Sequence, residues 1–467
     1  MSNDYEFDFG ESESENKNGE NEAAENAAPP LPEESAQPPK KQGKGKKIAL
    51  RILALVGAFL VGVLTCYFSF DSEFRALSRL KKAVQENYYE KISDDEFYDV
   101  LFQAVNENLL DPYSAYMNPD EFEEYQTEAT GQWSGIGITF LIQDAEGKDC
   151  LQVANVSGNS PAERAGIKVG EYIVGFGATE ESIVPSVSFK EFSVFLEGYG
   201  ANQAFLVRLK DGENERTVEL ARSAFVENYV FYRTKTTAYR FTGNSATTLE
   251  AYEGYLPELA EDTAYIRLTQ FNGNASEQFR QAMNLFKSEN KKNLVLDLRE
   301  NGGGYMDILQ RISAYFCKDS ASSKPLIAIA RERDGDEQKF YASGNSYGSY
   351  FSADSKIRVL ADAGTASASE CLIGAMVDYG AIGYADICLA ERNGIAKTYG
   401  KGIMQTTYPL SIVNPDAVKL TTAKILWPKS ENCIHDRGVL PEDGCKTVTE
   451  SYVGDGEILA ALQAFQG

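Results

Sequence analysis

The chain has 467 residues, with 69 acidic against 45 basic side chains and a formal net charge of -24 at pH 7. This length exceeds one ordinary domain, so we expect two or three folded units together with unfolded tails. The shortage of lysine and arginine argues against a nucleic-acid-binding protein, because phosphate binding needs clustered positive charge.

The N-terminal 47 residues have the composition of a disordered acidic tail that ends in a basic run. Residues 1–39 are rich in Glu, Asn, Pro and Ser and lack apolar periodicity, so burial cannot offset the entropy of folding. Residues 48–70 are then apolar apart from Arg51 and a few small polar residues. At about 1.5 Å per residue, such a helix crosses the hydrocarbon layer of about 30 Å. The sequence therefore predicts a transmembrane helix over 48–70.

The flanks of this predicted helix indicate its orientation. A cleaved signal peptide is the competing interpretation, but the preceding tail is long and acidic, and no Ala-x-Ala pattern follows Phe70. Lysine-rich flanks stay in the cytoplasm. We therefore expect a single-pass protein of the cell membrane, with a cytoplasmic N-terminus and an extracytoplasmic body from Asp71 onward.

The cysteines after the predicted anchor leave two interpretations open. They are Cys150, Cys317, Cys371, Cys388, Cys433 and Cys445. An even number in an oxidising compartment permits disulfides, and Cys433 and Cys445 are close enough in sequence to pair. Small buried thiols fit equally well, since spacing does not establish disulfide geometry. No CxxC pair indicates zinc, and we expect neither a metal nor a cofactor.

Residues 71–127 have the pattern of an N-terminal helical segment. Apolar residues recur at spacings of mostly three to four, as in the series Phe74, Leu77, Leu80 and Val84. The stretch "LLDPYSAYMNPDEFEEYQ" interrupts this pattern with Asp-Pro and Asn-Pro, and a helix can resume at Pro119 with Asn118 as its cap.

Residues 128–222 predict a compact, strand-rich unit. Alternating strands flank a Gly-x-Gly loop, and a short helix follows at Ala162 to Ala165. Amide groups in "GIGITF" could bind a carboxylate while the next strand edge accepts an extended peptide, although a tight strand entry is an alternative. The stretch resembles a PDZ domain. The resemblance implies a site for C-terminal carboxylates lined by Gly135, Ile136, Gly137 and Ile138.

Residues 223–467 alternate between strands and helices, which is typical of an α/β unit. The stretch "KNLVLDLRENGGG" predicts a buried strand that ends in a glycine loop. "KIRVLADAGTA" predicts another strand, and "ASECLIGAMVDYG" predicts the helix after it. Ser367 therefore lies at a strand-to-helix junction.

Ser367 has two interpretations. Ser367 and Glu370 have the spacing of a capping box, and most such serines only cap a helix. The same position also directs helix amides at any developing oxyanion, which favours an acyl-transfer nucleophile.

A serine nucleophile needs a base, and the choice is narrow. The single histidine, His435, lies in a loop and is more typical of a surface side chain. Lys401 lies between two glycines, and a lysine can act as a base when burial or positive charge makes it neutral. Lys401 considered alone would more often be a solvated lysine.

Several motifs occur together in a characteristic order. The PDZ-like segment is followed by "LVLDLRENGGG", "GTASASE", "KTYGKGIMQT" and "LTTAKILWPKSENCIHDRGVLPED". In this order they resemble the carboxyl-terminal processing peptidases, also called tail-specific proteases. The resemblance implies a crotonase-like α/β protease core with an inserted or preceding PDZ domain.

The resemblance also implies the roles of individual residues. Ser367 would be the nucleophile, Lys401 the general base, and Gln405 the residue that orients the lysine. The N–H groups of Gly303 and Ala368 would form the oxyanion hole. Ser369 is the main rival nucleophile. Two departures from the family pattern are an apparent insertion, "YADICLAERNG", between Ser367 and Lys401, and Gly302 where many members have Pro.

The expected function is that of a membrane-anchored serine endopeptidase that binds the C-terminal tails of polypeptides and cleaves them with a Ser-Lys dyad. Its expected partners are polypeptide substrates and the membrane, with no nucleic acid, and self-association into a homo-oligomer stays open. A catalytically silent peptide-binding scaffold is the rival from another class. A cysteine peptidase using Cys371 is the third interpretation, weakened because Cys371 falls one turn into the predicted helix.

Overall fold

The computed structural model describes residues 44–69, 72–143, 148–242, 248–251, 254–344, 347–411, 415–449 and 455–466. The chain divides into two compact units, Met1–Ser93 and Asp94–Gly467. Residues 1–43 of the predicted disordered tail, 1–47, lie outside the described residues, whereas residues 44–47 are helical, so that end of the prediction was wrong.

The helices of the described residues lie in both units. They are α1 (Lys44–Ser69), α2 (Ser72–Asn87), α3 (Asp94–Asn108), α4 (Pro119–Thr130), α5 (Pro161–Arg164), α6 (Phe189–Glu197), α7 (Ala275–Ser288), α8 (Met306–Ser313), α9 (Ala368–Asp378) and α10 (Asp455–Ala464).

The strands belong to the second unit. They are β1 (Ala115–Met117), β2 (Gln132–Gly135), β3 (Ile138–Gln143), β4 (Asp149–Val156), β5 (Tyr172–Gly177), β6 (Val184–Pro185), β7 (Ala204–Asp211), β8 (Asn214–Ala221), β9 (Ser223–Val226), β10 (Val230–Arg233), β11 (Ala238–Thr242), β12 (Thr248–Ala251), β13 (Thr263–Leu268), β14 (Asn293–Asp297), β15 (Leu326–Glu332), β16 (Glu337–Tyr341), β17 (Ile357–Ala361), β18 (Ile387–Ala390), β19 (Ile403–Pro409), β20 (Ala417–Leu426) and β21 (Lys446–Val448).

The first unit contains the helices α1 and α2, and α1 covers nearly all of residues 48–70. In the part of the chain that the structure describes, no helix has both the length and the apolar character that a membrane crossing requires. The predicted transmembrane helix is therefore not confirmed.

The main sheet of the second unit has eight strands in the order β12-β11-β10-β13-β14-β17-β18-β21. Its central strands run parallel, and β14 and β18 are buried almost throughout. Parallel strands covered on both faces have continuous apolar sequences, as these do. The helices α7, α8 and α9 contribute to the same core. The predicted mixed α/β character is confirmed.

A second sheet joins distant parts of the chain. Its order is β1-β20-β15-β16, with β19 also paired to β20. The sequence predicted a helical segment over 71–127 with an interruption before Pro119 but no strand, whereas Ala115–Met117 form β1, which pairs antiparallel with the start of β20. The prolines of Asp-Pro and Asn-Pro disfavour helical conformation at the residues before them, Asp111 and Asn118, so no helix runs through this stretch and pairing with a distant strand decides its conformation.

Residues 138–221 form a separate layer with its own apolar core. The sheet order is β3-β4-β5-β7-β8, with β6 paired to β5, and α6 contributes the fully buried Phe192. The short helix α5 begins where the Ser160 hydroxyl accepts the Glu163 N–H at 3.1 Å, with Pro161 in its first turn. The ribbon of β2 and β9 joins the two ends of this layer.

Candidate active site

Ser367 occupies a strained turn between β17 and α9. Its backbone has φ +56° and ψ -115°, in the left-handed half of conformational space that residues with a side chain rarely adopt. Hydrogen bonds hold both sides of the turn: Ala366 N–H donates to the Asn301 carbonyl, and Cys371 N–H donates to the Ser367 carbonyl, each at 2.9 Å. The turn thus places a half-buried serine at the start of a helix.

Glu370 connects the turn of Ser367 to the loop of Lys401. Its carboxylate is fully buried, and one oxygen, Oε2, accepts the backbone N–H of Ser367 at 3.0 Å and that of Lys401 at 2.9 Å. The other oxygen accepts the Thr398 hydroxyl at 2.6 Å and the Gly400 N–H at 2.8 Å. Burial raises the pKa of Glu370, and these hydrogen bonds oppose the rise. The carboxylate of Glu370 therefore fixes the backbones of Ser367 and Lys401, the two predicted catalytic residues, close to each other.

The glycines beside Lys401 allow the chain to pack closely. Gly400 has φ +91°, and a Cβ there would lie 2.9 Å from the Gly438 nitrogen. A Cβ on Gly402 would lie 2.7 Å from the His435 nitrogen. Because neither position has room for a side chain, Lys401 is held on a backbone pressed against residues 435–438.

The ammonium of Lys401 is partly withdrawn from water. Burial lowers the pKa of Lys401, and the positive charge of Lys419 lowers it further, against the opposing charges of Asp111 and Glu370. Desolvation and a like charge both disfavour a protonated lysine. The lowered pKa is the direction that a lysine base requires.

The predicted catalytic and oxyanion-hole residues lie around one cavity of about 470 Å³. The predicted residues in its lining are Gly303, Ser367, Ala368, Lys401 and Gln405. The long segment between Ser367 and Lys401 does not separate them, because the buried Glu370 binds the backbones of both.

Gln405, predicted to orient the lysine, makes a side-chain hydrogen bond to the neighbouring strand. Its side-chain Nε2 donates to the Thr421 hydroxyl at 3.1 Å. This bond connects β19 to β20 rather than Gln405 to the lysine.

The Gly303 amide, predicted for the oxyanion hole, has an acceptor within its own loop. Its N–H donates to Asn301 Oδ1 at 3.0 Å, so in this structure the amide is already paired within its own loop. The glycine is nevertheless required, because it has φ +102° and a Cβ would lie 2.8 Å from that of Ser367. Ala368 is the first residue of α9, where backbone N–H groups have no acceptor within the helix.

The alternative nucleophiles are placed less favourably. The fully buried Ser369 donates its hydroxyl to the Asn301 carbonyl at 3.0 Å. Burial raises the pKa of the Cys371 thiol to about 12, which disfavours the thiolate. His435 lines a different cavity from Ser367. Cys433 and Cys445 are free thiols, so the disulfide considered between them is not formed.

A second cavity, of about 610 Å³, forms a groove between β3 and α6. Its lining includes the four residues predicted at the carboxylate site, Gly135, Ile136, Gly137 and Ile138. Gly137 has φ +75°, and a Cβ there would lie 2.2 Å from that of Ser160. The groove is lined with aromatic and aliphatic side chains from both elements, and β3 is the last strand in the sheet order.

The sequence did not reveal two features that surround the predicted catalytic residues. The capping-box spacing pointed to Glu370, but not to its bonds with the Lys401 loop about thirty residues later. The loop 111–114 gave no catalytic signal, yet the hydroxyl of Ser114 accepts the Thr421 N–H at 2.8 Å and fixes this loop against β20.

Comparison with known proteins identifies the core of the second unit. Residues 262–443 match Peptidase family S41. The chain is a serine peptidase. It is 29% identical over 381 residues to a chloroplastic C-terminal processing peptidase of Tetradesmus obliquus, covering 80% of this chain and 73% of that protein.

Two further proteins are similar to this chain. The chain is 25% identical over 377 residues to the carboxy-terminal processing protease CtpB of Bacillus subtilis strain 168, covering 79% of this chain and 68% of that protein. A solved structure of a photosystem II D1 C-terminal processing protease is 23% identical, with a TM-score of 0.45, and the match covers 83% of this chain and 90% of that one.

Proposed function

We propose that this peptidase cleaves polypeptides with a dyad of Ser367 and Lys401, after their C-terminal tails bind to a PDZ domain formed by residues 128–222. The observation that carries the dyad is the carboxylate of Glu370, which binds the backbones of both residues at the edge of one cavity. Proximity fixed in the folded state lowers the entropic barrier to a reaction between two groups.

In the proposed reaction the Ser367 Oγ attacks the substrate carbonyl carbon, and its proton passes to the neutral Nζ of Lys401. Lys401 returns this proton to the leaving amine as the peptide bond breaks. Water then attacks the acyl-enzyme, with Lys401 as its base, and releases Ser367. Support comes from the burial and the positive neighbour that lower the pKa of Lys401. Support also comes from the strained backbone of Ser367, a feature that clusters at active sites.

The proposed oxyanion hole uses the N–H groups of Ala368 and Gly303. The Ala368 amide starts a helix, where the helix dipole also favours negative charge. The Gly303 amide would have to share or release its bond to Asn301 as the oxyanion forms.

For tail recognition, the end position of β3 allows a peptide to add as a further strand, with its side chains in the apolar groove. The carboxylate would bind at the amides of the loop from Gly135 to Ile138. The two sites are separate cavities, although Gln270 contributes to the lining of both. Binding and cleavage are therefore separable by mutation.

The test compares the full-length chain with Ser367→Ala, Lys401→Ala and Ser369→Ala, using a reduced and carboxymethylated protein as the unfolded substrate. We expect Ser367→Ala and Lys401→Ala to lower kcat by at least about a thousandfold, as for removal of other nucleophiles or bases. Ser369→Ala is the matched control and should retain cleavage. Cleavage that survives Ser367→Ala but not Ser369→Ala would reverse the assignment.

The proposal includes a membrane location, in which residues 48–70 anchor the peptidase and the body from Asp71 onward lies outside the cytoplasm. Its support is the apolar run 48–70 with lysines before it. Alkaline carbonate extraction of cells that produce the full-length chain should leave the peptidase in the membrane pellet, and external protease should degrade its C-terminal part. Release into the supernatant would exclude the anchor.

A further inference from the structure

The loop before β1 brings an aromatic ring to the side chain of Lys401. Tyr113 lies in this loop, and the Nζ of Lys401 is 4.6 Å from the centroid of its ring. A cation within about 6 Å of a ring centroid, over its face, is attracted by the negative charge of the π system. Tyr113 is half-buried, so its ring also covers part of the lysine side chain.

Hydrogen bonds hold this loop in one conformation. Asp111 Oδ1 accepts the Tyr113 N–H at 2.8 Å, and Asp111 Oδ2 accepts the Ser114 hydroxyl at 3.0 Å. The Ser114 hydroxyl in turn accepts the Thr421 N–H at 2.8 Å, while the Thr421 hydroxyl accepts from Gln405. Gln405 and Thr421 lie on the paired strands β19 and β20 that follow Lys401, so the loop is attached to the same frame as the lysine.

The far end of the Tyr113 ring is fixed as well. Its hydroxyl donates to the Tyr399 hydroxyl at 3.0 Å, and Tyr399 lies two residues before Lys401. The hydrogen bond to Tyr399 and burial raise the pKa of Tyr113 to about 12. Tyr113 therefore stays a neutral phenol, and it interacts with Lys401 through the face of its ring.

We propose that Tyr113 is a positioning residue for Lys401, whose ring face stabilises the ammonium that forms when Lys401 takes the proton of Ser367. This inference rests on the proposed dyad. It gives Tyr113 the orienting role that the family resemblance assigned to Gln405, which bonds to Thr421 instead.

Other charged and titratable groups surround the lysine and must stay constant in a test. They are Lys419 from β20, Glu370 from α9, Asp111 from the Tyr113 loop, Tyr399 from its own loop, and His435 and Asp436 from the segment packed against it. A substitution at position 113 that keeps an apolar side chain leaves all of them in place.

The experiment measures kcat and KM against pH for the full-length chain and for Tyr113→Phe, Tyr113→Leu and Tyr113→Met, with the carboxymethylated substrate. Phe keeps the ring face, whereas Leu and Met keep apolar bulk without it. For Leu and Met we expect kcat to fall roughly threefold to thirtyfold, and the acid limb to move to lower pH by about half a unit to one unit. KM should change little, and Phe should resemble the parent.

The outcomes separate this inference from the proposed function. If the parent shows cleavage that depends on Ser367 and Lys401, but Leu and Met retain the profile of Phe, the role of Tyr113 is refuted and the dyad stands. An acid limb that moves to higher pH would show that the ring only excludes water, which also refutes it. If the parent cleavage does not depend on Ser367, both proposals fail. Thermal unfolding of each variant checks that it folds. If only one of the Leu and Met variants folds, that variant is enough for the test.

Discussion

The β3–α6 groove and the Ser367 cavity are constructed in different ways. The groove draws its apolar lining mainly from two elements of one layer, β3 and α6. The cavity is assembled from the loops at 302–304 and 367–371 and from Lys401, β19 and β20, and the buried carboxylate of Glu370 connects the Ser367 turn to the Lys401 loop. Apolar surfaces tolerate small adjustments, whereas a buried polar network is costly when one partner is lost. We therefore expect the cavity to be the more fragile of the two.

After loss of Ser367 or Lys401 themselves, the largest effect should follow Gly303→Ala. The added Cβ would lie within 3 Å of Ser367 Cβ, the Ala366 carbonyl and the Ala368 nitrogen, at a φ that alanine adopts poorly. Loss of one oxyanion donor alone costs about a hundredfold to a thousandfold in kcat, and we expect at least that, together with a lower unfolding temperature. Steady-state cleavage and thermal unfolding measure the two effects.

The neighbouring Gly302 provides the matched control. A Cβ at Gly302 would meet no atom within 4 Å. Gly302→Ala should therefore keep kcat within about threefold of the parent, as expected of an exposed substitution. Equal losses in the two alanine variants would show that the loop, and not the contact of Gly303 with Ser367, is what matters.

Glu370→Gln should produce the next largest effect. Glutamine offers one acceptor oxygen in place of two and turns an amide group toward backbone donors. Leaving two buried donors unpaired should lower the free energy of unfolding by about 2–4 kcal/mol, and loosening the dyad should lower kcat about tenfold to a hundredfold. Denaturant unfolding and cleavage kinetics test both expectations.

Glu171→Gln serves as its control, since Glu171 is also buried and binds Arg216 in the six-stranded layer. It should reduce stability but leave kcat near that of the parent. A similar fall in kcat for both variants would contradict a specific role for Glu370.

In the β3–α6 groove, Phe189→Ala should weaken the binding of a substrate tail. Phe189 is 45% exposed and lines the groove, so its ring is available to a bound tail. Loss of an aromatic contact should raise KM about tenfold with little change in kcat. Val169→Ala removes an exposed apolar side chain outside the groove and should leave KM unchanged. A fall in kcat without a rise in KM would contradict this expectation, because it would show that the groove affects the chemical step and not tail binding.

The smallest effect should follow Lys419→Gln. Activity requires neutral Lys401, so the rate should rise with pH through the pKa of Lys401. Removing the positive charge of Lys419 should raise that pKa, which moves the acid limb to higher pH and lowers the rate several-fold on that limb. Lys424→Gln, an exposed position on the same strand, should leave the pH profile unchanged.

Structure that depends on local sequence patterns could be predicted, whereas structure that depends on contacts between distant residues could not. The layer of residues 138–221 has alternating strands and a capped helix, and these signals are local. The parallel strands of the main sheet were recognisable as buried apolar runs. The strand at Ala115–Met117 was missed, because its partner on β20 lies three hundred residues away.

The motifs indicated Ser367 and Lys401, but not what holds them together. The bond from Glu370 to the Lys401 N–H and the contact of Tyr113 with Lys401 join positions 31 and 288 residues apart, and no local sequence pattern indicates such pairs. Backbone amide directions are equally invisible in sequence, which is why the pairing of the Gly303 N–H with Asn301 was not foreseen.

Binding and cleavage of two matched peptides, identical except for a free or an amidated C-terminal carboxylate, test the central claim most directly. Fluorescence anisotropy and product analysis would compare the full-length parent with Ser367→Ala. We expect Ser367→Ala to bind the free-tail peptide as tightly as the parent, to bind the amidated peptide at least about tenfold more weakly, and to cleave neither. Cleavage of the free-tail peptide by Ser367→Ala at the parent rate would contradict the account.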